Sequence, residues 1–361
     1  MIVTKQERIS KLLEEHNLDG LIIQQVSNFA WATDGAASYI NTATTNGVGT
    51  LLVTGEAKHL ITDNIESPRF EKEERLKESG WEFHTHRWDQ PSGALEKLTK
   101  GMKLGSDGSY PGAVDLSGEL ALLRSYLDAA EQDRFRRLSA RCAGAMDKAI
   151  RAVKPGMNEF QIAALLSGAT QSGGVLPIVI LIATDERIYN FRHPLPTNKK
   201  MDKYAMLVLC GRMDGLVCSL TRLVHFGPLP DELNEKAEAV SYVDAAMIAA
   251  TRPGKSVNEV FRAGKAAYAQ RGFADEWQLH HQGGPAGYDP REFVATDSVD
   301  VPIRSGQVYA WNPSITGCKS EDTILVAEDG NEILSAIAGW PAKSIEIGDQ
   351  VIERPEILVI D

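Results

Sequence analysis

The sequence predicts an α/β N-terminal domain followed by an α+β domain made of two pseudo-twofold helix–helix–sheet halves. Three observations carry this reading. Helix and strand patterns alternate through the first third of the 361 residues. A long helical stretch then runs to a strong stop at Lys154-Pro155-Gly156. Finally, a weak internal repeat is visible. Ala152-Val153-Lys154-Pro155-Gly156 leads into Asn158-Glu159-Phe160, and Ala250-Thr251-Arg252-Pro253-Gly254 leads into Asn258-Glu259-Val260-Phe261. In both copies an Ala-rich helix stops at Pro-Gly, and an Asn is placed to N-cap the next helix.

The elements follow in order. Glu7–His16 carries apolar residues at helical spacing, and Gly20-Leu21-Ile22-Ile23 is a short apolar strand. Gly49–Thr54 and His59–Thr62 form a hairpin around Gly55-Glu56. Glu71–Ser79 reads as a charged helix, Trp81–Thr85 as a strand and Ala94–Lys100 as a helix, and Lys103–Ser106 closes the pattern. This gives a first domain over 1–125. Leu116–Val153 is helical, with a new amphipathic run starting at Glu131, and the domain boundary falls between Ser117 and Gln132. Strands Val175–Ala183 and Ala205–Cys210 follow the first repeat, and Val308–Trp311 and Thr323–Val326 follow the second. The second domain therefore covers 132–345, leaving 346–361 as a C-terminal extension. A cleft between two such halves is a natural place for chemistry.

Composition narrows the function class. Hydrophobic content of 43% and charged content of 24% are ordinary for a globular protein. The formal charge of −11 argues against nucleic-acid partners, because an acidic surface repels phosphate backbones. No secretory leader pattern and no apolar run of the roughly 18 residues a bilayer needs are present, so a cytoplasmic protein without a membrane partner is expected. Cys142, Cys210, Cys218 and Cys318 form no CxxC and read as buried thiols.

Five segments carry the chemistry: Arg192-His193-Pro194-Leu195-Pro196, Val208 through Gly227, His280-His281-Gln282-Gly283-Gly284, Gly306 through Pro313, and Ser320-Glu321-Asp322-Thr323-Ile324. Their order and spacing resemble the creatinase, prolidase and methionine aminopeptidase family, the pita-bread hydrolases. The N-terminal part resembles that family's accessory domain more weakly. Asp214-Gly215-Leu216-Val217-Cys218-Ser219-Leu220-Thr221-Arg222 is similar to the family's Asp-Gly-Tyr-x-Ser-Asp-x-Thr-Arg hairpin. In that frame the peptidases hold Asp, Asp, His, Glu and Glu around two divalent metals. Here the five places read Val208, Ser219, His281, Asn312 and Glu321.

Two divalent ions bring four positive charges, which the peptidases offset with four carboxylates. This frame supplies one, Glu321, and Val208 has no donor atom. The expectation is therefore no two-metal centre and no cofactor, with a single weak ion on His281, Asn312 and Glu321 as the remaining metal alternative. The resemblance implies catalytic roles for His193, His281 and Glu321. His193 lies in the family's His-x-Pro segment, where in the creatinase branch a histidine shuttles protons without metal. An imidazole suits that role near neutral pH. His280 is placed behind these residues.

Ser219, Tyr288, Arg291, Trp311 and Asn312 are the candidate substrate-binding residues. Tyr288 either donates to a developing oxyanion or is a packed tyrosine. Arg291 either pairs with Glu292 or holds a substrate carboxylate. Trp311 is either core or pocket wall. Arg222 braces the hairpin rather than binding ligand. The function expected is a Xaa-Pro peptidase- or creatinase-like hydrolase of a small amide, amidine or peptide C–N bond, using histidine acid/base chemistry. The alternative is a catalytically inactive protein of the same fold that binds peptides or a small molecule. The resemblance also implies a homodimer.

Overall fold

The structure is a computed structural model that describes residues 4–90 and 93–361. Residues 1–3 and 91–92 of the expected 1–125 domain therefore lie outside the described residues. The chain divides into two compact units, Met1–Arg124 and Ser125–Asp361.

The first unit opens with α1 (Lys5–His16), then β1 (Gly20–Gln25), α2 (Val26–Ala32), β2 (Asn46–Thr54), β3 (Lys58–Asp63) and α3 (Ser67–Lys72). It continues through β4 (Glu82–His86), α4 (Ala94–Leu98), β5 (Leu104–Ser106), β6 (Ala113–Asp115) and α5 (Ser117–Arg124). The strands form one sheet in the order β4-β3-β2-β1-β5-β6. A capping box starts α1: Glu7 N–H donates to Thr4 Oγ1 at 3.2 Å and Thr4 N–H to Glu7 Oε2 at 2.6 Å.

Two expectations need correction here, and one helix had not been expected. The helix read over Glu71–Ser79 lies instead at Ser67–Lys72, because Arg75 takes a left-handed φ of 56° and breaks the run. The helical stretch Leu116–Val153 is interrupted after Arg124, and Asp128 restarts it by accepting from Glu131 N–H at 2.8 Å. Helix α2 gave no amphipathic signal, since Val26 through Trp31 are all buried.

The second unit begins with α6 (Ala129–Arg151), α7 (Glu159–Ser172), β7 (Leu176–Thr184), α8 (Glu186–Asn190), β8 (Tyr204–Met213) and β9 (Leu216–Phe226). Then come α9 (Asp231–Ala250), α10 (Val257–Gln270), a 3-10 turn at Glu276–Leu279, β10 (Gly283–Ala286) and β11 (Val308–Trp311). The chain ends with β12 (Ser314–Ile315), β13 (Cys318–Lys319), β14 (Asp322–Val326), β15 (Asn331–Ile333), β16 (Ala342–Ile347), β17 (Gln350–Pro355) and β18 (Leu358–Ile360). Two helices and a sheet recur twice: α6 and α7 with β7-β8-β9, then α9 and α10 with β10-β11-β14-β15.

The Pro-Gly stops hold in both copies, but the caps differ. Asn158 caps α7, whereas α10 starts two residues earlier than read: Ser256 rather than Asn258 is its cap, with Ser256 N–H donating to Glu259 Oε2 at 2.7 Å. Residues 346–361 are not an appendage, because β18 pairs in parallel with β9 and joins the main sheet. One continuous core joins Leu181 and Val208 from the first sheet to Tyr309, Trp311 and Ile324 from the second.

Candidate active site

The β8–β9 hairpin turns at Asp214-Gly215, both at positive φ (50° and 77°), the pair of conformations a two-residue turn between twisted strands prefers. This fixes the register. Val208 pairs with Thr221, and Cys210 with Ser219. Val208 is buried and contributes only hydrocarbon.

Glu321 lies at the centre of the site and is 2% exposed. Its Oε2 accepts from Thr221 Oγ1 at 2.6 Å and faces Lys319 Nζ at 2.7 Å. Its Oε1 accepts from Arg291 Nη2 at 2.9 Å. A second guanidinium nitrogen of Arg291 donates to Ser219 Oγ at 3.2 Å, and Ser219 in turn lies 3.3 Å from Cys210 Sγ. Burial alone would raise the Glu321 carboxyl, but the charges of Lys319 and Arg291 overcome it and hold the group down to about 2. Lys319 and Arg291 are themselves enclosed, with side chains 5% and 10% exposed.

The segment carrying Glu321 is clamped from below. Arg354 donates to Asp322 at 2.7 Å and pairs with Asp244 at 2.6 Å, while Arg222 donates to Asp322 at 2.8 Å. Burial pushes the Asp244 carboxyl up to about 6.

Three histidines face this cluster. His193 Nε2 lies 3.0 Å from His280 Nε2, and the rings of His280 and His281 are 4.5 Å apart at their centroids. Burial first, then the charge of Lys319, lowers the proton affinity of His193. His280 is pushed down to about 2, by burial and then Lys319. His281 is pushed down to about 4, by burial and then Arg291. All three rings are therefore neutral at pH 7, so one member of the His193–His280 pair donates and the other accepts. The His193 loop is tied down by Arg192, which donates to Glu276 and to Thr316, each at 2.9 Å. Buried Nδ1 atoms of His280 and His281, and Oδ1 of Asn312, have no hydrogen-bond partner among the described residues, which leaves polar atoms to meet a ligand or water. Asn312 is kept close by Gly283, at φ 102°, where a Cβ would collide with the Ala310 carbonyl oxygen.

The structure thus brings together His193, His281, Glu321, Ser219 and Arg291, with Asn312 placed beside Gly283. Two other expected contacts are corrected. Tyr288 does not face the cluster: it is fully buried, and its hydroxyl donates to Glu131 Oε1 at 2.6 Å. Trp311 is core rather than pocket wall, since it is fully buried, stacks on Tyr309 and donates from Nε1 to Thr251 Oγ1 at 2.9 Å. Arg291 pairs with Glu321, not with its neighbour Glu292, which accepts instead from Tyr288 N–H at 2.8 Å. Arg222 does brace the hairpin, donating to the backbone oxygens of Thr221 and Ser335.

Sequence reasoning missed Lys319, whereas His280 does lie behind the site residues, buried against His193. The available signal was a lysine two residues before Glu321 in the string Cys318-Lys319-Ser320-Glu321. A buried lysine needs a partner, and the nearest carboxylate in sequence is Glu321.

For possible cation ligands, the ring nitrogens of His193, His280 and His281 come within 4.8 Å of one another. No helix among the described residues is long and apolar enough to cross a membrane, and all four cysteines are free and buried.

Comparison with known proteins agrees with this architecture. The chain is 21% identical over 230 residues to an uncharacterized peptidase of Staphylococcus saprophyticus, covering 61% of this chain and 65% of the relative. It is 26% identical over 213 residues to an agropine synthesis cyclase of Rhizobium rhizogenes, covering 51% and 52%. The match thus spans between about half and two thirds of these relatives' own lengths. Among solved structures, the prolidase of Pyrococcus horikoshii OT3 superposes with a TM-score of 0.80 at 20% identity, covering 92% of this chain and 98% of that one. The creatinase/prolidase N-terminal domain matches residues 5–125, and the profile of metallopeptidase family M24 matches residues 133–328. With a match over more than half its length, a prolidase-like sheet architecture and the ordered site segments between His193 and Glu321, the chain belongs to metallopeptidase family M24.

Proposed function

We propose that this chain is a hydrolase of a small amide, amidine or peptide C–N bond in which two side-chain cations take the place of the family's metal pair. The observation that carries this reading is the seating of Lys319 Nζ and Arg291 Nη2 on the two oxygens of Glu321, at 2.7 and 2.9 Å. A pair of divalent ions needs several carboxylate and imidazole donors. Here Val208 offers no donor, Ser219 Oγ receives an Arg291 N–H, Asn312 is neutral and both Glu321 oxygens are engaged. The residues do not fit two metal ions. The charge of Lys319 also lowers the proton affinity of all three histidines, and it opposes a metal cation there for the same reason.

What remains suits charge stabilisation and proton transfer. An ammonium and a guanidinium, fixed in advance by Glu321, face the place where a tetrahedral oxyanion would form, and a low-dielectric setting strengthens their effect. Neutral His193, paired with His280, accepts the proton of an attacking water as the O–C bond forms. It then returns that proton to the leaving nitrogen as the C–N bond breaks. The relative named as an agropine synthesis cyclase supports a reading outside peptidase chemistry, since that member carries the name of a different reaction.

The test is a panel of small amides, amidines and dipeptides, assayed with and without EDTA, together with elemental analysis of the purified protein. Turnover that survives EDTA and falls at least a hundredfold in His193→Asn supports the proposal. Turnover that EDTA abolishes and manganese restores overturns it. No turnover on any compound, with ligands raising the melting temperature, favours a binding protein instead.

A further inference from the structure

The first unit holds a second cluster of metal-type donors, far in sequence from the site above. β3 and β4 run parallel, with His59 opposite Glu82 and Ile61 opposite His84. Alternate residues of a strand share a face, so Glu82 and His84 project from the same face of β4, beside His59. His59 Nδ1 lies 3.1 Å from His84 Nε2 and 3.3 Å from Glu82 Oε2, and Glu82 Oε1 lies 3.7 Å from His84 Nε2.

Those separations have a geometric meaning. Ligands bound at about 2.0–2.1 Å at the corners of a tetrahedron are about 3.3 Å apart. Three donors already 3.1–3.7 Å apart therefore need only small side-chain rotations to converge on one ion. The two imidazoles are held against the sheet, with side chains 12% and 22% exposed, while Glu82 at 65% keeps one side open to solvent. Two imidazoles and one carboxylate make a donor set for zinc, cobalt or nickel rather than magnesium or calcium, which favour oxygen ligands alone.

We infer that His59, Glu82 and His84 form a binding site for one divalent transition-metal ion on the β3–β4 face, with a fourth position open to water or an external ligand. The observation is independent of the hydrolase reading, because none of the three residues belongs to the second unit.

The experiment uses the full chain after dialysis against EDTA, at pH 7.5. Zinc is titrated calorimetrically, and cobalt is titrated by visible absorption to report coordination geometry. One saturable equivalent is expected, with tetrahedral-type cobalt bands. His59→Ala and His84→Ala should each weaken binding at least tenfold. Glu82→Gln should weaken it several-fold, and because that side chain is mostly exposed it serves as the variant that keeps the fold intact. Binding should be unchanged in the double variant His193→Asn/His281→Asn. The inference is overturned if no saturable binding occurs. It is also overturned if binding survives the three first-unit substitutions and disappears in the His193/His281 variant, which would place the ion in the second unit. Elemental analysis for the hydrolase proposal is done on His84→Ala protein, so that an ion held here is not counted against it.

Discussion

Replacing Glu321 by Gln removes the one negative charge between two enclosed cations. In the native chain the carboxyl is held at about 2 rather than 4.5, which corresponds to about 3 kcal/mol favouring the charged, folded form. The substitution forfeits that amount and leaves Lys319 and Arg291, 5% and 10% exposed, facing each other without an anion. Removing one partner from a buried charge cluster costs about 3–5 kcal/mol, and the expected loss at pH 7 lies in that range. A depressed carboxylate contributes stability that is complete above its unfolded value and is lost as pH falls through its folded value. The cost of Glu321→Gln should therefore shrink as pH falls below 4.5 towards 2. Adding Lys319→Met to the Glu321→Gln chain removes one of the two orphaned cations and should recover about half the loss. Urea unfolding followed by tryptophan fluorescence measures each variant. A loss below about 1 kcal/mol at pH 7, or a double variant no more stable than Glu321→Gln alone, would show that the three groups are not a coupled buried cluster.

Two further outcomes follow from the same geometry. His280 and His281 are held neutral in the folded chain, near 2 and 4 against about 6.5 when unfolded, so unfolding takes up protons once pH drops below 6.5. Stability should fall with acidification from pH 7 to pH 5, with His280 alone contributing up to about 1.4 kcal/mol per pH unit. His280→Asn and His281→Asn should each flatten that slope in urea melts, and slopes equal to the parent's would refute the burial argument. Tyr288→Phe deletes the donor to Glu131 Oε1 and should cost about 1–2 kcal/mol of stability. Turnover on any substrate of the parent should remain unchanged, and a fall in kcat without a fall in stability would return Tyr288 to the site.

The sequence by itself determined the fold class with its repeated helix–helix–sheet halves, and it named residues for a candidate site. Those features rest on local patterns: apolar periodicity, Pro-Gly stops and the fixed spacing of the Asp214–Arg222 hairpin. It also showed Val208 and Ser219 where the resemblance puts aspartates, because a motif in register needs no coordinates to be read. Burial and long-range pairing were decided only by the tertiary structure. Tyr288 and Trp311 sit beside site residues in sequence but turn to Glu131 and Thr251, 157 and 60 residues away. Lys319 was not singled out in the sequence; β13 places it in the interior, where desolvation forces a charge to find an opposite charge. Spacing along the chain gave the positions, Val208, Ser219 and Asn312, where the resemblance would place carboxylates. Only the packed structure showed two cations held against the carboxylate that remains.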